Sequence, residues 1–445
     1  MLGADQFDRI SARVLDLSGA DQTEVVVLAT DSALTRFATS TIHQNVAERN
    51  AEVRVRAIVG KRAGVATSND LSDDALDRLA ARAAEIARLQ PEDPSLPDLP
   101  LPSELTPVAS YRAETASCTP ERRARMVQTI CRLAIEANLD ASGALTTELH
   151  EVGVANSRGL RRHESRTRAG LLTVVFDDEG SGYAERASAS VDDLDAEEVG
   201  REAVDKAVRS RGAERVEPGE YAVVLEEYAV AELLNYLAYM GFGALALQEG
   251  TSFLRGKLGQ PIVDERISIW DDAHDPGTLP ASFDFEGVPK QRVPLIERGM
   301  ATGVVHDSRT AARDGCASTG HALPAPNSFG PFPANVIMGA GDTPKRELAR
   351  GVRRGLWVTR LHYVNVVKSD RAVLTGLTRD GTFLIEDGEV TRPVRNLRFT
   401  ESVLDAWNGL GAVSRERLLL EGWGGGTLAP ALSLGRFRFT GVSDV

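Results

Sequence analysis

Thr23–Ser68 reads TEVVVLATDSALTRFATSTIHQNVAERNAEVRVRAIVGKRAGVATS, and this stretch decides the fold class of the first half of the chain. Thr23–Ala29 is a β-branched run. Leu34–Thr41, Ile42–Ala47, Ala51–Val59 and Ala63–Ser68 then alternate apolar and polar side chains or place Val and Arg in period two, the pattern of half-buried strands. Asn50 and Gly60 are the expected turn residues between them. Upstream, an amphipathic helix is predicted over Gln6–Leu17. Downstream, Ser72 is placed to cap a second helix, with Asp73 and Asp74 in its first turn, where negative charge suits the helix dipole. Leu76, Leu79, Ala80, Ala83, Ile86 and Ala87 form its apolar stripe.

The same order then returns. Six prolines fall between Pro91 and Pro107, which removes donors and fixes φ too often for a helix or a central strand, and predicts a surface linker. Beyond it, Thr119 as N-cap and Pro120 at the first helical position open a helix whose buried face is Val127, Ile130, Cys131 and Ala134. A second meander, Leu145–Ser190, turns at Ser157-Arg158-Gly159 and leads to a helix capped by Asp195, with Glu198 in capping-box spacing. The repeated order, with the similar phrases Asp31-Ser32-Ala33-Leu34-Thr35-Arg36 and Asn156-Ser157-Arg158-Gly159-Leu160-Arg161, points to an internal duplication.

From Glu217 the texture changes to a strand at Tyr221–Leu225, a helix at Val230–Met240 and a long turn-rich region with one more helix near Thr343–Gly351. Gly287, Gly299, Gly303, Gly381 and Gly388 separate strand-like runs there, which suits a barrel or sandwich. The expectation is an α+β protein. Residues 1–90 and 108–216 form an N-terminal α/β domain of strand meanders plus helices, joined by 91–107, and a β-rich domain covers 217–445.

Composition narrows the function. The 445 residues carry a formal net charge of −13, which opposes attachment to nucleic acid or to anionic membrane, since both need clustered Lys and Arg. Three cysteines without CxxC spacing give neither a disulfide framework nor a structural zinc site and suit a reducing compartment. The first residues lack a basic and then apolar leader, and no run of apolar residues is long enough to span a bilayer, so the expected location is the cytoplasm.

Chemical motifs are sparse. His150-Glu151 and His163-Glu164 have no second His within the next turns and lie in strand-like segments, so they read as solvent-facing strand residues rather than a metal helix. Ser318, Thr319 and His321, with Cys316 nearby, lack a nucleophile elbow; Gly315 and Gly320 mark the segment as a loop that shapes a pocket. His306, His321 and His362 are the alternative metal set. Gly422-Trp423-Gly424-Gly425-Gly426 is read as not preceded by a strand and lacks dinucleotide spacing, so no nucleotide cofactor is expected; such exposed backbone suits an extended peptide added as a strand.

Several phrases together resemble the TldD/PmbA family. They are Leu34-Thr35-Arg36-Phe37-Ala38, Ile42-His43-Gln44-Asn45, Gly250-Thr251-Ser252-Phe253 and Gly256-Lys257-Leu258-Gly259. After them come Asp284-Phe285-Glu286-Gly287, Leu295-Ile296-Glu297-Arg298-Gly299, Ser318-Thr319-Gly320-His321-Ala322 and Thr375-Gly376-Leu377-Thr378-Arg379-Asp380-Gly381-Thr382-Phe383-Leu384-Ile385-Glu386-Asp387-Gly388. They keep family order over nearly the whole chain, and the last is typical of the TldE (PmbA) type. The resemblance implies a partner with a His-Glu-x-x-x-His helix and a C-terminal Cys holding zinc. Here Asn235, Tyr236 and Met240 occupy the motif positions, the Cys position falls near Glu421, and no Cys follows Cys316.

The implied role is a non-catalytic subunit with no catalytic or metal residue of its own. It would complete a heterodimer with a TldD-type zinc protease that cuts unfolded peptides, and would form a homodimer when isolated. Residues expected to touch peptide are Ser318, Thr319, Gly320 and His321; Arg360, His362 and Tyr363; and Thr378, Arg379 and Gly381, all polar or glycine positions beside turns. For Arg360 and Arg379 a structural ion-pair role is an equal expectation. Two other readings stay open. One is a stand-alone hydrolase or biosynthetic enzyme with substituted ligands; the other is a regulatory scaffold, in keeping with the family's association with DNA gyrase modulation.

Overall fold

Two helices and three strands are built twice. In the computed structural model, which describes residues 1–443, α1 (Ala4–Leu17) is followed by β1 (Gln22–Ala38), β2 (Thr41–Val59), β3 (Arg62–Ser68) and α2 (Asp73–Leu89). After the single turn α3 (Ala113–Ala116) the order recurs as α4 (Pro120–Glu136), β4 (Asp140–Asn156), β5 (Arg161–Phe176), β6 (Ser181–Ser188) and α5 (Ala196–Arg209). All six strands share one antiparallel sheet in the order β3-β2-β1-β4-β5-β6, and β1 against β4 is the seam between the two copies. The element order therefore repeats, but the phrases expected to mark it do not correspond. Asp31–Arg36 lies inside β1, whereas residues 156–161 span the turn from β4 to β5.

Close packing marks the repeat better. A Cβ on Gly64 of β3 would lie 2.4 Å from the Ala83 oxygen and 2.2 Å from the Ala87 nitrogen of α2. A Cβ on Gly182 of β6 would meet Ala203 and Ala207 of α5 in the same way, at 2.1 and 2.5 Å. In each copy the outer strand carries a glycine so that two alanines one helical turn apart can approach the sheet.

Several local expectations are corrected. β1 runs unbroken through residues 30–33, and Asn50 sits within β2 opposite Thr30, because pairing on both edges of β1 outweighs its local turn signal. The hairpin turns instead at Thr39 and Ser40, both at positive φ (48° and 56°), the hand that suits a tight hairpin. Glu151 is not solvent-facing. It is buried and accepts hydrogen bonds from the Leu2 and Gly3 nitrogens (2.8 and 3.1 Å), which holds the start of α1. The proline-rich segment is strapped onto the sheet: Leu96 and Leu99 pack on Ile58, and Asn156 Nδ2 donates to the Pro100 carbonyl at 2.8 Å.

The second half begins with β7 (Glu220–Leu225), α6 (Glu227–Gly241), α7 (Ala244–Gln248), β8 (Ile269–Asp271), β9 (Val293–Glu297), β10 (Met300–Ala301), α8 (Ser308–Asp314) and β11 (Asn335–Met338). It ends with β12 (Arg354–Lys368), β13 (Val373–Glu386), β14 (Glu389–Pro393), β15 (Leu397–Ser402), α9 (Val403–Asn408), β16 (Leu410–Glu421) and β17 (Gly426–Val442). These strands form one eleven-stranded sheet, and β17 pairs with both β15 and β7, closing β17-β15-β13-β12-β7 into a ring. The α+β expectation with a barrel-like second half holds. The helix expected near Thr343–Gly351 is reduced to a 3-10 turn at Lys345–Glu347. Leu348, Ala349 and Val352 are drawn onto Val224, Ile385 and Ala431 there, so burial dictates the path.

α6 packs across the ring and is buried on nearly every side; only Glu232, Tyr236 and Tyr239 are not. Its N-cap residue, Glu226, is 2% exposed. The Glu226 carboxylate meets Lys206 of α5 at 2.9 Å and Lys345 at 3.0 Å, and accepts from Trp357 Nε1 (2.7 Å) and Thr359 Oγ1 (3.1 Å).

Two outcomes follow in urea denaturation. Gly182→Ala should lower stability by about 1–3 kcal/mol through overpacking, with Gly64→Ala similar, and an unchanged midpoint for both would refute the close-approach account. Glu226→Ala, which leaves Lys206 only Glu202, Lys345 only Glu227, and Trp357 and Thr359 without their acceptor, should remove about 1–3 kcal/mol. Burial raises the Glu226 pKa, but Lys206 and Lys345 outweigh it and hold the carboxyl well below the usual range. Its contribution is thus present above the unfolded value near 4.5 and is lost as pH falls, so the Glu226→Ala penalty should shrink in acid.

Candidate functional site

Glu232, on the exposed stripe of α6, lines a cavity of about 180 Å³ where the two halves of the chain meet. Glu185 comes from β6, Glu232 and Asn235 from α6, Arg360 and His362 from β12, and Glu421 from the end of β16. Asn235 is held by Thr427 of β17, whose hydroxyl donates to Asn235 Oδ1 at 2.8 Å. Gly422 is close on the other side: a Cβ there would lie 3.3 Å from the same oxygen. Two positions nearly two hundred residues apart, 235 and 421, are thereby brought to one cavity.

The cavity is acidic. Tyr183 donates to Glu185 at 2.5 Å, and the Glu421 nitrogen donates to the other Glu185 oxygen at 3.2 Å. Arg360 lies over the Tyr183 ring at 4.2 Å, but its charge is engaged by Asp380, to which Nε donates at 2.6 Å. Among the described residues, the Glu232 carboxylate has no hydrogen bond or ion pair. Burial, and then the charge of Glu185, push its pKa up to about 7 against the opposing pull of Arg360. Burial raises Glu185 as well, opposed first by its bond from Tyr183. This wall can hold a proton near neutrality or meet a cationic group.

At the rim stands an aromatic ridge. The Tyr236 ring meets Trp423 at 4.9 Å, Trp423 meets Tyr239 at 5.6 Å, and Tyr239 stacks on Phe329 at 5.3 Å. Tyr236 donates its hydroxyl to the Val364 carbonyl. Trp423 is 51% exposed, in the tight loop where the Gly422 nitrogen donates to the Gly425 carbonyl at 2.8 Å. That glycine run follows β16 directly and joins it to β17, contrary to the expectation that no strand precedes it.

The residues singled out from sequence divide into separate groups. Arg360, His362 and Tyr363 line the cavity, with the His362 and Tyr363 rings 4.2 Å apart and Tyr363 69% exposed. Thr378 is buried and accepts from the Leu397 nitrogen at 3.0 Å, a structural bond. Arg379 lies 4.0 Å from Asp380, and Gly381, at φ 120°, borders a different surface cleft.

Ser318–His321 forms its own locked network. Ser318 donates to the His306 carbonyl (3.2 Å), Thr319 Oγ1 lies 2.9 Å from His321 Nδ1, and His321 Nε2 lies 2.8 Å from buried Asp271. Gly320, at φ 75°, passes so close to Pro289 that a Cβ would lie 2.2 Å from its carbonyl oxygen. Cys316 is exposed while His321 is fully buried. Among the described residues, no group of three or more His, Cys, Asp or Glu is arranged to hold a metal ion. Met240 points into the main core, so of the three motif positions only Asn235 borders the cavity. Glu232 was missed from sequence, although its place one turn before Asn235 is a signal that could have found it; Glu185, from the other sheet, has no such signal.

Residues 23–87, 120–211 and 218–441 match, in that order, the PmbA/TldA metallopeptidase domain 1, central domain and C-terminal domain. The chain belongs to the PmbA/TldD metallopeptidase family. A metalloprotease of Methanothermobacter thermautotrophicus is 26% identical over 273 residues, 59% of this chain and 59% of that protein. Metalloprotease PmbA of Escherichia coli O157:H7 is 25% identical over 381 residues, 80% of this chain and 79% of that protein. The crystal structure of TldE from Thermococcus kodakarensis superposes with a TM-score of 0.88 at 23% identity, covering 98% of this chain and 99% of that one, so the fold is that of TldE.

Glu232 offers a direct test of the cavity's electrostatics. Its folded pKa stands above the unfolded value, so the protonated form adds stability fully below about pH 4.5, and that stability is lost as pH rises through about 7. Glu232→Gln cannot titrate. Its melting temperature relative to the parent should therefore climb between those two pH values and level off above, and a pH-independent difference would remove Glu232 from this account.

Proposed function

We propose that this chain is a TldE-type, non-catalytic subunit which pairs with a TldD-type zinc metalloprotease and forms one wall of the chamber where unfolded peptide is cut. The observation that carries the reading is the occupancy of the family's metal positions. Asn235 and the Glu421 region converge on one cavity, yet Asn235 already accepts from Thr427 and Met240 is packed in the core.

Peptidase zinc is held by nitrogen, sulphur and carboxylate donors with one position left open for water. The residues present do not fit that set. Two imidazoles, the carboxylate base and the thiolate of the family pattern are replaced by an engaged amide, a phenol, a thioether and a glutamate. No hydrolytic step is therefore routed through a metal on this chain, and the zinc is assigned to the partner.

What remains is suited to holding substrate and partner. Glu232 offers an unpaired carboxylate, and Tyr236, Tyr239 and Trp423 offer broad apolar faces with polar tips, the residue types that dominate recognition surfaces.

Co-expression with a homologue that carries the intact His-Glu-x-x-x-His helix should yield a stable 1:1 complex that cleaves unfolded peptide. This chain alone should contain no stoichiometric zinc and show no cleavage. The triple change Asn235→His, Tyr236→Glu and Met240→His should still give no zinc-dependent activity, because it lacks the thiolate and turns one new imidazole into the core. Zinc-dependent hydrolysis by the unaltered chain alone would overturn the proposal.

A further inference from the structure

A second cavity, of about 320 Å³, lies between the six-stranded sheet and the C-terminal half, on the other side of the loop from Gly422 to Gly425. Its size is that of small-ligand sites. Most of its wall is apolar, with Leu28 from β1 and Leu279, Phe283, Phe285 and Phe332 from the long connections of the second half.

Set in this wall is Lys290, 7% exposed. Among the described residues its ammonium makes no hydrogen bond and no ion pair. The charged groups nearest to it are all engaged elsewhere. Asp271 is held by His321 (2.8 Å) and by the Asn335 nitrogen (2.7 Å). Asp284 accepts from the backbone nitrogens of Glu286 and Val288, both at 2.9 Å, and of Ala322 at 2.8 Å. Arg166 pairs with Glu164 at 2.8 Å and donates to the Phe283 carbonyl at 2.9 Å. Burial presses the Lys290 pKa down, opposed by Asp271 and Asp284.

An ammonium that opens on a largely apolar cavity without a protein acceptor is free to meet an acceptor brought into that cavity. A carboxylate brought by a ligand would supply one, and the aromatic and aliphatic wall would take an apolar body attached to it.

We infer that this cavity binds a carboxylate carried on an apolar body, with the C-terminal residue of a peptide as its source. The source rests on the peptide-handling role proposed above; the carboxylate chemistry does not. The two cavities adjoin, since Arg168, which lines this one, lies 3.7 Å from Glu421, which lines the acidic one. A peptide crossing the Gly422–Gly425 loop would meet the Lys290 ammonium on one side and the acidic cavity on the other.

The test is titration calorimetry on the full chain at neutral pH. The probes are N-acetyl-leucyl-phenylalanine with a free carboxylate, the same dipeptide as its C-terminal amide, and hexanoate. The acid should bind at least tenfold more tightly than the amide, and more tightly than hexanoate. Lys290→Met should bring the acid down to the level of the amide and leave amide binding unchanged. Equal binding of acid and amide to the unaltered chain, or no binding of either, would overturn the carboxylate site and needs no variant to fold. Retained preference in Lys290→Met would overturn the role of Lys290. Hexanoate binding as tightly as the dipeptide acid would overturn the peptide source. None of these readings uses the partner or peptide cleavage, so the subunit proposal can fail without affecting them.

Discussion

One buried carboxylate ties the molecule together. Glu226 stands at the N-cap position of α6, and its two oxygens, rather than bonding the helix's own nitrogens, gather an ammonium from α5 of the N-terminal sheet unit, a second from the turn at Lys345, and the indole and hydroxyl of β12. A single buried ion pair rarely repays its desolvation, but two cations and two neutral donors around one carboxylate satisfy it. The network continues through Glu202 to Lys206, Arg186 and the Tyr228 hydroxyl. Both halves of the chain are thus registered on the first turn of α6.

That registration decides what α6 presents. With its N-terminus pinned and its other faces sunk in the ring, the helix has one free stripe, Glu232, Tyr236 and Tyr239, with Asn235 beside it. Asn235 is bonded to Thr427 of β17 and Met240 is packed in the core, so contacts within the chain hold this face of the helix. The position of the helix thus rests on the Glu226 network and the apolar core.

Much of the fold was legible in the sequence, and the failures have physical causes. Thr119 and Asp195 act as caps as their types predict, accepting from the backbone one turn ahead, because capping is a local interaction. Asn50 was misleading because a strand paired on a long partner tolerates a turn-former, and residues near Thr343 were misleading because tertiary burial of Leu348 and Ala349 overrode helix preference. Within the site, Asn235, Arg360 and His362 were reachable from sequence. Thr378 and the buried His321 have interactions that complete their bonding internally, which a polar residue beside a glycine does not reveal. Glu185 reaches the cavity from β6, held there by Tyr183 and the Glu421 nitrogen, contacts between segments far apart in the chain.

The glycine run from Gly422 to Gly426 shows how such a constraint is written. A Cβ at Gly422 would lie 2.8 Å from Thr427 Oγ1, one at Gly424 2.9 Å from the Phe332 ring, and one at Gly425 2.4 Å from the Ala334 carbonyl oxygen. The glycines are there because the loop threads between α6 and the segment before β11, with no side-chain room on either side, while Trp423 alone turns outward. The thin wall that results separates an acidic cavity from one holding an unpaired ammonium. A larger residue at Gly422, Gly424 or Gly425 would meet these neighbours, so the run keeps the wall thin and the two cavities adjacent.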